Sequence, residues 1–150
     1  MEAEMDLVVR KTVTVPLSQD AAFRLFTEGI GSWWPVATHS IEESGAVEAR
    51  MVPGVGGRIF ERTAAGELPW GTITDWNPPA GFSTTWHPGY DEALATQLTV
   101  RFVPEGLGST RVELEYRGWA VHGAAAADRV AGYDTGWDTV LGHYVKRAGG

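Results

Sequence analysis

Gly132-Tyr-Asp-Thr-Gly-Trp-Asp-Thr-Val-Leu-Gly-His-Tyr-Val-Lys-Arg-Ala-Gly-Gly150 is the stretch whose reading decides the fold. Tyr133, Trp137, Val140, Leu141 and Tyr144 fall at i, i+4, i+7, i+8 and i+11, which places them on one face of a helix. Lys146 and Arg147 suit the negative end of the helix dipole, and Gly149 can terminate it. Three of the face residues are aromatic, and each such ring covers roughly 150–250 Å² of surface. The stripe therefore needs an apolar partner about as long as itself. A helix rising about 1.5 Å per residue spans roughly 22 Å here, and a strand of six or seven residues at about 3.3 Å each spans as much. One long helix laid along an antiparallel sheet satisfies both lengths.

Working outward, residues 46–117 read as strand after strand divided by turn residues. The predicted strands are 46–51, 58–63, 70–76, 82–87, 96–103 and 109–118. The last pair alternates most cleanly: Leu98, Val100 and Phe102 oppose Gln97, Thr99 and Arg101, and Val112, Leu114 and Tyr116 oppose Arg111, Glu113, Glu115 and Arg117. Such a sheet has one buried and one wet face. Upstream, residues 7–15 form a β-branched first strand closed by Pro16. Ser18 caps a helix carrying Ala21, Ala22, Leu25 and Phe26 up to Gly29, and a second short helix or turn follows over Gly31-Ser-Trp-Trp-Pro35. Residues 36–45 read as loop. The Ala-rich run 124–131 can start the last helix early, with Gly132 as a bend. Strands in series bounded by helices give an α+β fold, one domain over residues 1–150.

Composition excludes several functions. With no cysteine there is no disulfide, thiolate nucleophile or cysteine-ligated metal. A net charge of −7 argues against nucleic acid as a partner. No apolar run approaches the ~18 residues of a membrane span. The acidic opening MEAEMDLVVR is unlike a secretory leader, so a cytoplasmic protein is expected.

The order of elements resembles the START-like helix-grip superfamily, also called SRPBCC. Within it the chain is similar to the bacterial group of activator of heat-shock-protein-90 ATPase homologues. The residues that carry the likeness are Trp33-Trp34-Pro35, Gly56-Gly57-Arg58-Ile59-Phe60-Glu61, Trp70-Gly71, Asp75-Trp76-Asn77-Pro78-Pro79, Thr84-Thr85-Trp86, Gly108-Ser109-Thr110-Arg111-Val112-Glu113-Leu114, and Gly136-Trp137 with Leu141. The resemblance implies a curved antiparallel sheet wrapped around the C-terminal helix, with a cavity between them. Trp33 and Trp34 would wall one end, with His39 at the mouth, and Tyr133, Trp137 and Leu141 would face it from the helix. Phe60, Trp86, Leu98, Val100, Phe102, Leu114 and Tyr116 would form the sheet floor. The group name implies a chaperone partner and a stress response, although the relatives behind it carry an additional N-terminal domain.

Few residues invite catalysis. His39, His87, His122 and His143 lack any metal-ligand spacing, and no metal site or cofactor is expected. His143 lies roughly 200° from Leu141 around the helix and should meet solvent. His122 falls in a loop, while His39 and His87 flank the implied cavity mouth as candidate hydrogen-bonding groups or general bases. Glu61 and Asp75 are candidate polar cavity anchors, but Glu61 is expected at the surface if Phe60 points inward, and turn formation explains Asp75 at least as well. Gly54-Val-Gly-Gly57 leads into a strand and lacks the Lys-Ser/Thr of a phosphate loop.

The expected function is binding of a small hydrophobic or aromatic ligand between sheet and helix. The alternatives are a cyclase- or hydrolase-type enzyme using the same cavity, or a chaperone-ATPase regulator acting through its surface. The reading leans away from an enzyme. A homodimer is compatible with it.

Overall fold

The structure is a computed structural model that describes residues 8–41, 45–88 and 91–149. Seven strands form one antiparallel sheet: β1 (Val9–Val15), β2 (Ala46–Met51), β3 (Arg58–Thr63), β4 (Gly66–Asn77), β5 (Gly81–Trp86), β6 (Thr96–Pro104) and β7 (Thr110–Arg117). Their order across the sheet is β1-β7-β6-β5-β4-β3-β2. The first two strands in the chain are thus the two edges of the sheet. The chain between them must cross from one edge to the other, and it does so over the face that curls inward.

Helix α1 (Gln19–Phe26) begins that crossing. Ser18 Oγ accepts from the Ala21 amide at 3.3 Å, which satisfies one orphan donor of the first turn. Phe23 and Phe26 press edge-on against Phe102, with ring centroids 5.2 and 5.7 Å away. The second short helix is a 3₁₀ turn over Ile30–Ser32. Trp33 and Trp34 follow it directly and are carried beneath the long helix α2 (Ala126–Arg147). This helix begins six residues before Gly132 and runs through it, so the Ala-rich start is realised and Gly132 is an interior position.

The inner face of the sheet, α1 and α2 share one core, in which Val15, Ile59, Trp70, Val100 and Tyr144 are completely buried. Trp137, Val140, Leu141 and Tyr144 of the predicted helix face are buried, and His143 is exposed. Tyr144 is anchored at its far end by donating its hydroxyl to the Ala22 carbonyl at 2.8 Å. Burial pushes its phenol well above the usual range. From the other edge, Lys11 of β1 reaches Asp134 and Asp138 of α2 at 2.7 and 2.9 Å. Among the described residues no helix is long and apolar enough to cross a membrane.

One expectation is overturned on β3. The β3–β4 register shifts between Ile59 and Phe60, where Pro69, lacking a donor, pairs opposite Phe60. Ile59 and Glu61 face the interior, and Phe60 lies outside the core cluster with the Arg58 guanidinium 4.8 Å from its ring centroid. Phe60 is itself buried, at 5% exposure, but does not line the cavity described below. Glu61 is fully buried, not exposed.

Candidate functional site

Between β4 and the end of β5, the segment after Trp33, and the middle of α2 lies a cavity of about 320 Å³. Its deep wall is made of buried side chains: Trp34, Trp70, Trp86, Trp137 and Val140. Half-buried residues form its rim: His39, Ser40, Ile41, Pro88, Tyr133 and Gly136.

The four indoles touch one another. Trp34 stands 4.9 Å from Trp70, 5.9 Å from Trp86 and 5.7 Å from Trp137 between ring centroids. Trp86 stands 5.7 Å from Trp70 and 5.5 Å from Trp137. Each arrives from a different element, so the wall exists only in the folded chain. Trp70 and Trp86 come from neighbouring strands, and Gly71 lets those strands close. A β-carbon at position 71 would stand 1.9 Å from the Thr85 carbonyl oxygen, so only glycine fits there.

Polar groups hold this apolar wall in place. Trp70 Nε1 donates to Glu61 Oε1 at 2.7 Å, and the Ile41 amide donates to the same oxygen at 2.6 Å. One buried carboxylate thus ties the floor to the rim. Trp34 Nε1 donates to the His39 carbonyl at 2.7 Å, which fixes the chain direction at the mouth. Trp137 Nε1 is buried with no acceptor among the described residues. His39 packs its ring beside Gly136 of α2, and its Nδ1 lies 2.8 Å from Thr38 Oγ1. No group of acidic, histidine or cysteine side chains among the described residues could hold a metal ion.

Of the residues singled out from sequence, Trp34, His39, Trp86, Tyr133 and Trp137 come together around the cavity. Trp33 is buried behind it, donating Nε1 to the Leu25 carbonyl at 2.8 Å and stacking edge-on against Tyr144. Leu98, Val100, Phe102, Leu114 and Leu141 fill the core beyond the cavity. Tyr116 is also buried there, in contact with Trp119, Tyr133 and Trp137. His87 is buried but turned away, since Trp86 and Pro88 on either side of it take the cavity face. His122 is buried, with Nε2 2.9 Å from the Leu94 carbonyl. Sequence reasoning expected Ile41 to point inward and Val140 to lie on the helix face without assigning either to the cavity, and it missed Trp70, Ser40, Pro88 and Gly136 as lining residues. Trp70 carried the clearest signal, as the large aromatic of the Trp70-Gly71 pair quoted above.

No family model matches the chain, nor does any curated protein. Solved structures do. An anthrahydroquino-gamma-pyrone synthase, Txn09, complexed with SUM, is 35% identical over 81% of this chain and 82% of its own, with a TM-score of 0.58. The chain belongs to the START-like helix-grip superfamily, SRPBCC. Another SRPBCC neighbour is CalC, a self-sacrificing resistance protein from Micromonospora echinospora. It is 29% identical over 94% of this chain and 93% of its own, with a TM-score of 0.70. An HSP90 activator from Plasmodium falciparum is 19% identical over 73% of this chain and 71% of its own, with a TM-score of 0.53. At that identity the activator shares the SRPBCC fold alone.

Proposed function

We propose that the protein binds a small, planar aromatic molecule in the cavity between β4, β5 and α2. The observation that carries this reading is the wall of four mutually packed indoles, each delivered by a different element. Flat π-surfaces favour flat π-ligands in offset or edge-on contact, worth roughly 0.5–1.5 kcal/mol per ring pair beyond area burial. At about 320 Å³ the cavity is near the lower end of small-molecule sites, which start at roughly 300 Å³. That size fits a few fused rings. The relative named as an anthrahydroquino-gamma-pyrone synthase supports polycyclic aromatic polyketides as the ligand class. A chaperone-regulator reading rests on a fold likeness alone, and it expects a small or collapsed cavity in place of an open one.

The decisive experiment is tryptophan-fluorescence titration with anthraquinone-type molecules, paired with Gly136→Leu. Glycine is the poorest non-proline helix former, so the variant should keep or raise stability, by about 0.5–1 kcal/mol from propensity. Its side chain projects into the mouth beside His39. Saturable quenching in the parent protein and its loss in a folded Gly136→Leu is the expected result. Equal quenching in both would remove the cavity from consideration.

A further inference from the structure

His39 is held in one orientation at the cavity mouth. Its amide donates to the Pro35 carbonyl at 2.9 Å, and its own carbonyl accepts from Trp34 Nε1 at 2.7 Å. Two residues on, the Ile41 amide is pinned to the buried Glu61. The ring is oriented as well. Nδ1 lies 2.8 Å from Thr38 Oγ1, and that hydroxyl donates to the Pro35 carbonyl at 3.4 Å. With the single Thr38 hydroxyl proton given to the Pro35 carbonyl, Nδ1 donates to Thr38 Oγ1 and Nε2 keeps its lone pair, and this is the tautomer the proposal below requires.

The Nε2 edge faces α2 at Gly136, where a β-carbon would stand 3.8 Å from Cδ2 and 4.0 Å from Nε2. The ring lines the cavity, and Nε2 has no hydrogen-bond partner among the described residues. Two of the neighbouring acceptors are committed elsewhere: Ser40 Oγ donates to the Val36 carbonyl at 2.5 Å, and Glu61 Oε1 accepts two donors beneath the floor, while the unpartnered Trp137 Nε1 is a donor and cannot take a proton.

We propose that His39 is a general base, and that the aromatic ligand carries a phenolic or enolic hydroxyl whose proton Nε2 accepts. This rests on the aromatic-binding reading and adds a proton-transfer step to it. The balance is complete within the site. The ligand O–H bond breaks, a bond from that proton to Nε2 forms, and the products are a phenolate or enolate beside an imidazolium. In that tautomer Nδ1–H continues to donate to Thr38 Oγ1 after the transfer. The indole wall supplies the orientation, and no oxidant, reductant or metal is consumed.

The test uses alizarin, a hydroxyanthraquinone whose visible spectrum distinguishes phenol from phenolate, with unsubstituted anthraquinone as control. Binding is read by indole quenching and ionisation by absorbance. The parent protein should bind alizarin as its phenolate. His39→Gln should still bind it, with the bound phenolate-to-phenol ratio lowered by about tenfold or more, equivalent to one pH unit. Thr38→Val, which removes the acceptor behind the ring, should fall between the two. Bound alizarin that stays a neutral phenol in the parent protein, or a phenolate band unchanged in His39→Gln, overturns the base assignment and leaves aromatic binding standing. Absence of saturable quenching by either dye overturns both readings together.

Discussion

Glu61 is the residue on which the cavity turns, although it lies beneath the lining. A carboxylate without exposure is normally costly, and it persists only when its lone pairs are used. Here Oε1 takes the Trp70 indole N–H and the Ile41 amide. Glu61→Ala would leave the buried Trp70 indole N–H without that acceptor, at roughly 1–3 kcal/mol, and the half-buried Ile41 amide without it at a smaller cost. Urea unfolding should show the loss, and Glu61→Gln, which keeps an acceptor oxygen in place, should recover most of it. Equal stability of the alanine and glutamine variants would mean that the two hydrogen bonds contribute nothing. The sequence misplaced this side chain because strand alternation was counted from Phe60. The register shift at that residue, facing Pro69, is a pairing property that no count along one strand reveals.

At the scale of elements, α2 does two jobs with one face. Its C-terminal half, through Leu141 and Tyr144, closes the core against α1 and the sheet, while Tyr133, Gly136, Trp137 and Val140 line the cavity. Trp137 belongs to both, touching Trp34, Trp86 and Tyr116 while its indole stays buried. Trp137→Ala should therefore destabilise by roughly 3–5 kcal/mol, the range for truncating a buried large aromatic. Chemical denaturation measures it directly, and a loss below about 1 kcal/mol would show that the indole is not held between helix and sheet. The helix stripe was legible from spacing alone because 3.6-residue periodicity is local. Its division into core and cavity halves depends on where Trp34 lands after the crossing segment, and that is set by the two edge strands.

The whole molecule has a pH window that follows from three groups. Burial holds the His122 imidazole below its ordinary value, helped by the Arg129 guanidinium and opposed by its bond to the Leu94 carbonyl. Neutral His122 is thus the folded form, so its contribution is present above the unfolded value of about 6.5 and is lost as pH falls through the folded one. Burial acts to raise Glu115, but hydrogen bonds and charge from Arg10 and Arg117 outweigh it and hold the carboxyl low. Its contribution is present above about 4.3 and disappears further into acid. Lys11 is raised, chiefly by its hydrogen bond to Asp134, with burial opposing and Asp138 assisting. That contribution is present below about 10.4 and is lost as pH rises through the folded value. Stability should be flat between about pH 6.5 and 10.4 as far as these groups decide it, and fall on both sides. In urea-midpoint measurements His122→Gln should flatten the first acid-side decline. An unchanged slope would assign that decline to other groups.

By itself the sequence determined the class of fold, the number and rough limits of the strands, and the buried faces of β6, β7 and α2. Those features rest on local periodicity, turn chemistry and capping, all of which act within a few residues. Tertiary structure decided which aromatic side chains became core and which became cavity. Trp33 and Trp34 are adjacent in sequence, yet one packs on Tyr144 and the other joins the four-indole wall. It also decided that Glu61 faces inward and that His39 meets Gly136. Each of these outcomes needs residues far apart in the chain to meet, through a register shift, a glycine approach or an edge-to-edge crossing. Such meetings are fixed by packing as a whole, which no window along the chain contains.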